Sequence, residues 1–229
     1  MAKQERAVRT RDAILVGAAE VFDEVGYEAA AISEILSRAG VTKGALYFHF
    51  TSKKELAQAV LANQVFAVPE VPRRELMLQQ GVDESLVIAH MLSTGDAMVR
   101  GSVRLTVDQG SRVDGLDRRV PMSAWIDRNA TILTGAQENG ELLPQVDIDS
   151  AAKLFTGGFT GVQVLSKIMT NHADLPERVA DLQRHLLSSL ALPAVLVRLD
   201  ISPDRAVRVY EEAVTARAEK KALAAGVSA

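Results

Sequence analysis

Apolar residues recur every three or four positions along most of the chain, the spacing that builds one apolar face on an α-helix. The clearest stripe lies near the N-terminus and consists of Ile14, Leu15, Ala18, Ala19, Phe22 and Val25. Gly26 follows it, where a left-handed C-terminal cap belongs. Strand-like alternation does not compete with this pattern, so we predict an all-α fold.

Two short helices follow the first stripe and are joined by a tight turn at Ala39-Gly40-Val41. Thr42 offers a hydroxyl that can cap the second of them, predicted from Lys43 to His49. Ser52 and Glu55 form a capping box that opens a further helix. The arrangement spans roughly residues 8 to 66 and predicts a helix-turn-helix, so we assign residues 1–66 to a DNA-binding domain.

The helical pattern breaks near Pro69 and Pro72, which predicts a loop and the start of a second domain, residues 67–229. We predict that its helices begin at Asp149, at Asp174 with Glu177, and at Ser202, each a capping residue. The predicted helices cover about 83–99, 102–109, 121–137, 150–169, 174–192 and 203–224.

Charge is distributed unevenly around a net value of −3. Residues 12–34 hold six acidic side chains, whereas the stretch from Arg38 to Lys54 holds four basic side chains and no acidic one. The second stretch predicts an electropositive face at the helix-turn-helix, although a solvated surface with chance clustering is an alternative.

Composition excludes several classes of site. The chain has no Cys, and its four His lack metal-ligand spacing, so we expect no metal and no cofactor. The charged N-terminus is not followed by an apolar stretch, and the longest apolar run is too short to span a bilayer. We therefore expect a cytoplasmic protein with no membrane partner.

The run Gly40-Val41-Thr42-Lys43-Gly44-Ala45-Leu46-Tyr47-Phe48-His49-Phe50, followed by Ser52-Lys53-Lys54-Glu55-Leu56, resembles the signature of TetR-type transcriptional repressors. Within that family, the ALYFHF wording, the single Trp125 and the helix lengths resemble the γ-butyrolactone and butenolide autoregulator receptors of actinobacteria. One departure is that Ala29, Ala30 and Ala31 stand where the family usually has a Thr or Ser cap, whose loss costs about 1 kcal/mol.

The third helix is the one expected in the major groove of operator DNA. Thr42 and Lys43 are the candidate base readers, and Gly44 lets the backbone approach the duplex. We expect phosphate contacts from Tyr47, His49 and Lys53, although Tyr47 could pack in the core and His49 could be an ordinary surface residue. Phe48 and Phe50 are predicted to be core residues. Three arginines near the N-terminus could form an arm on DNA or a solvated helix face: Arg6, Arg9 and Arg11.

The predicted sensing domain contains a polar track on an otherwise apolar helix: Thr156, Thr160 and Gln163 share one face. A lactone or hydroxyl ligand could partner them, or the threonines could bond back to the preceding turn while nearby glycines aid helix packing. By resemblance Trp125 closes over the ligand, although core packing at a helix end is an alternative. Thr131 and Gln64 are further candidates, although a solvent-exposed Gln64 is the more common outcome.

Wide apolar stripes on the last two long predicted helices must be buried against another surface. The resemblance implies a homodimer in which paired helices from each subunit form a four-helix interface, although part of the surface could pack within one subunit. The stripe residues are Val179, Leu182, Leu186, Leu187, Leu190, Val207, Val209, Tyr210 and Val214.

The helix-turn-helix favours a DNA-binding regulator, and the resemblance implies a ligand-responsive repressor that binds operator DNA as a dimer and is released by a small lactone or butenolide. One alternative is a pseudo-receptor of the same fold that responds to another small molecule, such as an antibiotic. A helical enzyme acting on a lactone is disfavoured because the chain lacks a nucleophile elbow, a phosphate loop and a His-Glu metal motif. A third alternative is a constitutive architectural DNA-binding protein, which would need no ligand pocket.

Overall fold

A computed structural model describes residues 2–108 and 114–224, and within these ranges the chain forms helices and no β-strand. The predicted all-α fold is therefore confirmed. The helices are α1 (Ala2–Ala29), α2 (Ile32–Ala39), α3 (Lys43–His49), α4 (Lys53–Ala62), α5 (Gln64–Ala67), α6 (Met77–Thr94), α7 (Ala97–Val107), α8 (Arg119–Glu138), α9 (Ile148–Thr170), α10 (Leu175–Leu190), α11 (Pro193–Leu196) and α12 (Arg205–Ala224).

The turns around the helix-turn-helix follow the local sequence rules. Gly40 closes α2 in the left-handed region with a φ of 63°. Gly26 interrupts α1 with a φ of 77° and a ψ of 176°, a conformation that glycine tolerates but that is not the predicted left-handed cap. The Thr42 side chain accepts a hydrogen bond from the Ala45 amide, and Ser52 accepts one from the Glu55 amide. Both predicted caps are confirmed.

Two features of these caps depart from the ideal pattern. The Glu55 carboxylate accepts hydrogen bonds from the Thr51 amide and hydroxyl, at 2.7 and 2.5 Å, and not from the Ser52 amide, so the reciprocal half of the predicted capping box is wrong. Ala31 occupies the N-cap of α2, and its methyl group cannot accept a hydrogen bond. The missing cap predicted from the three alanines is confirmed.

The first compact unit joins the chain up to Ala67 with residues Gly95–Met122. Its core is a cluster of buried apolar side chains in which α1 packs against α2, α3, α4 and α7. The central members of that cluster are Ile14, Ala18, Phe22, Leu46, Phe50, Leu56 and Val60. The helix α7, which the sequence placed beyond the boundary at residue 67, thus packs with the helix-turn-helix. The assignment of functions to residues 1–66 and 67–229 stays a prediction.

The second compact unit comprises Val68–Thr94 and Ser123–Ala229. Its central element is α6, which packs against α10 and α12, while α9 packs against α10. The fully buried carboxylate of Asp83 on α6 accepts hydrogen bonds from Arg74 and Arg205 at 2.6 to 2.8 Å. Buried Glu141 accepts hydrogen bonds from the Met77 and Leu78 amides and so caps the start of α6.

Three predicted helix starts in this unit need correction. Asp147, not Asp149, caps α9 by accepting from the Ser150 amide at 2.7 Å, and Asp149 pairs instead with Lys153. Asp174 stands at the N-cap of α10, but its carboxylate accepts from Ser166, Thr170 and Arg178, which hold its pKa well below the usual range. The Ser202 hydroxyl donates to Asp200, and α12 begins later, at Arg205.

The contact between α1 and α7 generates a prediction for Gly101. A Cβ at this position would lie 2.2 Å from the carbonyl oxygen of Ala19, so Gly101→Ala must push the two helices apart. We expect the substitution to lower the free energy of unfolding by about 1 to 3 kcal/mol, measured by urea denaturation. Gly44→Ala is the matched control, since a Cβ there would meet no described atom within 4 Å. A Gly101→Ala variant as stable as wild type would contradict this packing argument.

Candidate DNA interface and candidate ligand site

The third helix presents one face to solvent and the other to the core. Leu46 and Phe50 are buried, whereas Thr42, Lys43 and Gly44 are exposed, and 43% of Tyr47 is accessible. The Lys43 ammonium lies 6.0 Å from the centroid of the Tyr47 ring, one helical turn away. The structure therefore brings four of the predicted DNA-contacting residues onto one accessible surface, as the spacing of a helix requires.

His49, at the end of the same helix, is half-buried among aromatic rings. Its ring centroid lies 5.0 Å from that of Phe48 and 6.5 Å from that of Phe50. The Arg11 guanidinium, on α1, lies 5.2 Å from the centroid of Phe50. His49 is thus partly packed into the first unit, and its predicted phosphate contact stays a prediction.

The prediction that Phe48 is a core residue is wrong, whereas that for Phe50 is confirmed. Phe48 is 79% exposed and Phe50 is 2% exposed. The helix α3 is short and only its Leu46 side faces the core, so a side chain two positions farther on points away from it. The aromatic residue type suggested that Phe48 is buried, but its angular position on the helix leaves the side chain exposed.

The Lys53 ammonium is held by the end of α1. It donates to the carbonyl oxygens of Tyr27, Glu28 and Ala30 at 2.8, 3.2 and 3.0 Å, and lies 4.7 Å from the Tyr27 ring centroid. The carbonyl end of a helix carries partial negative charge, so this lysine acts as a cap. Its predicted phosphate contact competes with these bonds, which sequence reasoning did not identify because the residues are more than twenty positions apart.

Arg38 does not contribute a free positive charge to the predicted electropositive stretch. Its guanidinium donates two hydrogen bonds of 2.8 Å to Glu24 and a longer one to Glu20, both on α1. The bonds from Arg38 lower the pKa of the Glu24 carboxyl. The exposed positive charge on the third helix therefore comes from Lys43.

In the second unit, four helices enclose a cavity of about 20 Å³, room for roughly one water molecule. Its wall includes Asn129 of α8, Phe155 of α9 and Gln183 of α10, together with Gly81 of α6. The Asn129 amide donates to the Thr156 hydroxyl at 3.0 Å, and the Gln183 amide donates to Ser85 at 2.9 Å. Two amide side chains therefore lie in the wall of this small cavity, each bonded to a neighbouring hydroxyl, among residues that are mostly apolar.

The predicted ligand residues of α8 and α9 are placed differently around this cavity. Thr156 is buried and reaches it through Asn129, and Gln163 is also buried. Thr160 donates to the Thr156 carbonyl at 2.8 Å, just as Thr156 donates to that of Ala152. The alternative of hydroxyls bonding back to the preceding turn is thus present for both threonines.

Trp125 and Thr131 do not belong to the wall described for this cavity. Trp125 is half-buried one turn before Asn129, on the same face of α8. Thr131 is exposed, and its hydroxyl donates to the Asp127 carbonyl at 2.9 Å. Asn129 and Gln183 are the residues that sequence reasoning missed, because nothing in the helical period distinguishes them from surface amides.

Gln64 lies in the first unit, at the start of α5. The outcome named as more common, exposure to solvent, is wrong: only 4% of the residue is accessible. Its side-chain oxygen accepts a hydrogen bond of 3.4 Å from the buried Thr106 hydroxyl on α7. This pair satisfies polar groups that would otherwise be costly to bury.

The structure buries part of the apolar stripes predicted for dimerisation and leaves part of them exposed. Val179 and Leu187 of α10 and Val209 of α12 are buried within the chain and serve its own core, whereas Val207 and Val214 of α12 are exposed as the prediction requires. By contrast α9, which was not predicted for this role, exposes a row of apolar side chains: Leu154, Leu165, Ile168 and Met169. Leu182 of α10 packs against Gly158 of α9, so the two helices form a closely packed pair.

The described residues lack two features of other protein classes. Among them, no helix combines the length and apolar character that crossing a membrane requires. The same part of the chain gathers no group of three or more acidic or histidine side chains suited to a metal ion.

Comparison with known proteins identifies the family. Residues 14–60 match the model for bacterial regulatory proteins of the tetR family. The whole chain aligns with 83% of the A-factor receptor protein of Streptomyces griseus at 41% identity. The crystal structure of TylP, a TetR regulator from Streptomyces fradiae, shares 59% identity with a TM-score of 0.86, covering 91% of this chain and 99% of that one.

A crystal structure described as a gamma-butyrolactone receptor, an ArpA-like protein, is similar at 27% identity and a TM-score of 0.68, covering 90% of this chain and 99% of that one. TylP is described as a TetR regulator and the other two relatives as receptors, so these relatives lend no support to the enzyme alternative. The chain belongs to the TetR family of bacterial transcription regulators and is related within it to the A-factor and gamma-butyrolactone receptors.

Proposed function

We propose that this chain is a repressor that binds operator DNA as a homodimer and is released by a small lactone or butenolide. The observation that carries the proposal is the accessible face of α3, where Thr42, Lys43, Gly44 and Tyr47 lie together at the start of a capped helix. In a helix-turn-helix, the N-terminal residues of this helix meet the base edges in the major groove.

Each residue of that face has a distinct chemical role toward DNA. The Lys43 ammonium can donate to guanine O6 or N7, and Thr42 can contact a phosphate or a thymine methyl group. Gly44 leaves room for the backbone to approach. The Tyr47 hydroxyl can donate to a phosphate oxygen, which positions the helix without reading sequence.

The homodimer requires a surface that is apolar and uncovered by the chain itself. The exposed row of α9 meets this requirement, and a methyl group added at Gly157 or Gly161 of the same helix would meet no described atom within 4 Å. With α10 packed alongside, two copies would bury four helices against each other. We therefore place the interface on α9 and α10, because the apolar row of α9 is 53 to 74% exposed, whereas Val207 and Val214 of α12 are 47% and 42% exposed.

The proposed ligand site is the cavity of α6, α8, α9 and α10. A lactone carries a carbonyl that Asn129 or Gln183 could meet with an amide N–H, and an alkyl chain suits the Phe155 side of the wall. The cavity holds only about 20 Å³, so a ligand must enlarge it. A ligand that binds the enlarged conformation better than the operator-bound one shifts the population toward release.

A second candidate ligand class is another small molecule, such as an antibiotic. TylP, with 59% identity, is described as a TetR regulator without a named ligand, whereas the proteins described as A-factor and gamma-butyrolactone receptors share 41% and 27% identity. Repression and dimerisation would be the same in both cases, and only the releasing compound would differ.

Release is tested by electrophoretic mobility shift on a duplex that the wild-type chain selects from a random-sequence pool, with and without an alkyl γ-butyrolactone. Asn129→Leu and Trp125→Ala should keep operator affinity while losing the response, since the first removes an amide of the cavity wall and the second a large apolar side chain beside it. Thr131→Val is the control, because its hydroxyl is exposed, and it should respond like wild type. If a lactone fails but an antibiotic releases wild type, the second class is correct.

The role of Lys53 can be separated from that of Lys43 by salt dependence. Loss of one phosphate contact from each subunit would flatten the log-log salt slope by about 1.8. Because Lys53 is bonded to the α1 carbonyls, we expect Lys53→Ala to keep a slope close to wild type but to lower the free energy of unfolding by about 1 to 3 kcal/mol. Lys43→Ala should instead relax base preference, and the exposed Lys54→Ala should leave stability nearly unchanged. A flattened slope with unaltered stability would restore the phosphate contact of Lys53.

The proposed dimer interface is tested on α9. Leu165→Glu places a charge in the middle of the exposed row, so the variant should elute as a monomer in size exclusion with light scattering and lose operator binding, because two half-sites lie about 34 to 36 Å apart. Val197→Glu is the control: this valine is 85% exposed but lies outside α9 and α10. A dimeric, soluble Leu165→Glu protein would place the interface elsewhere.

A further inference from the structure

Phe48 is the most accessible large apolar side chain on the helix proposed to enter the major groove. It is 79% exposed, and the next residue toward the N-terminus, Tyr47, is 43% exposed. Single exposed apolar residues are common on protein surfaces. Phe48 differs from such a residue because it continues the surface formed by Lys43, Gly44 and Tyr47.

The position of Phe48 on α3 is defined by helical geometry. It lies four residues after Gly44, so both occupy one face, with Phe48 about 6 Å farther along the helix axis. Gly44 has no side chain, so Phe48 provides most of the side-chain volume on that face of α3. The ring is packed edge-on against His49, with centroids 5.0 Å apart and planes at 85°, so its direction is constrained.

The chemistry of the ring limits what it can recognise on DNA. A phenyl group has no donor for a phosphate oxygen or for a base acceptor. The apolar group that a base edge presents in the major groove is the C5-methyl of thymine. We propose that Phe48 contacts a thymine methyl group in each half-site and thereby contributes to sequence preference; this rests on the proposed function.

The test compares thymine with uracil, which lacks only that methyl group. The probe is the duplex selected by the wild-type chain from a random-sequence pool, in which deoxyuridine replaces thymine at the same position of both half-sites together, one position at a time. At one position wild type should bind about tenfold more weakly to the uracil duplex, the value expected for one methyl group in each half-site. Phe48→Ala should bind the thymine duplex more weakly by a similar factor and show no further loss at that position.

Two variants keep the interpretation specific. Phe66→Ala removes another exposed phenylalanine of the first unit, 75% accessible and outside α3, and should retain the wild-type uracil profile. Phe48→Leu retains an apolar side chain and should recover part of the discrimination. Thermal unfolding of each variant shows that the fold is kept, as expected for an exposed side chain.

The outcomes separate this inference from the function on which it rests. If Phe48→Ala keeps the full uracil penalty, or if no thymine position is sensitive in wild type, the methyl contact is overturned while operator binding stands. If the wild-type chain selects no duplex from the pool, the proposed function is overturned and the Phe48 contact with it.

Discussion

The C-terminal end of α1 is the point on which the geometry of the helix-turn-helix depends. There the chain turns at Gly26, and the carbonyl oxygens beyond it are bonded to Lys53 of α4, while that of Asp23 accepts from Arg104 of α7 at 2.6 Å. Two cations at the carbonyl end of a helix offset its partial negative charge. Since α2 begins directly after this end, the direction of α2 and α3 follows from how it is anchored.

The close approach of α7 to α1 makes these two helices one structural element. With no room for a methyl group between Gly101 and the Ala19 carbonyl, the backbones are in contact rather than separated by side chains. Such a contact resists sliding, because interiors are close-packed and a small shift produces an overlap. A displacement of α7 must therefore carry α1 with it.

Local rules account for the part of the structure that was predictable. Gly40, Thr42 and Ser52 act through residues three or four positions away, so their turns and caps could be predicted from sequence. The residues that were misjudged depend on distant partners: Lys53 on carbonyls of α1, Gln64 on Thr106, and Asp174 on Ser166 of the preceding helix. Phe48 shows a different limit, because residue type suggested burial and helical phase produced exposure.

The candidate sites follow the same division. The DNA-facing residues could be predicted because they lie on one short helix with a recognisable motif. The cavity wall could not, since Asn129, Phe155 and Gln183 come from three helices and only packing brings them together. A polar track along one helix pointed to α9, but the back-bonded hydroxyls of Thr156 and Thr160 show that such a track is partly satisfied by its own backbone.

The chain passes between the two compact units three times, after Ala67, Thr94 and Met122. At the second passage Gly95 has a φ of 89°, a conformation that disfavours any side chain, and Asp96 then caps α7 by accepting from the Val99 amide. The start of α7 is thus defined by a glycine turn and a cap, and its middle is fixed to α1. Along the chain, only Gly95 and Asp96 separate α7 from α6, the helix whose Gly81 and Val82 line the cavity. Under the proposed release mechanism, a ligand must bind one conformation of the chain better than the operator-bound one by about 1 to 3 kcal/mol, the coupling typical of two linked sites.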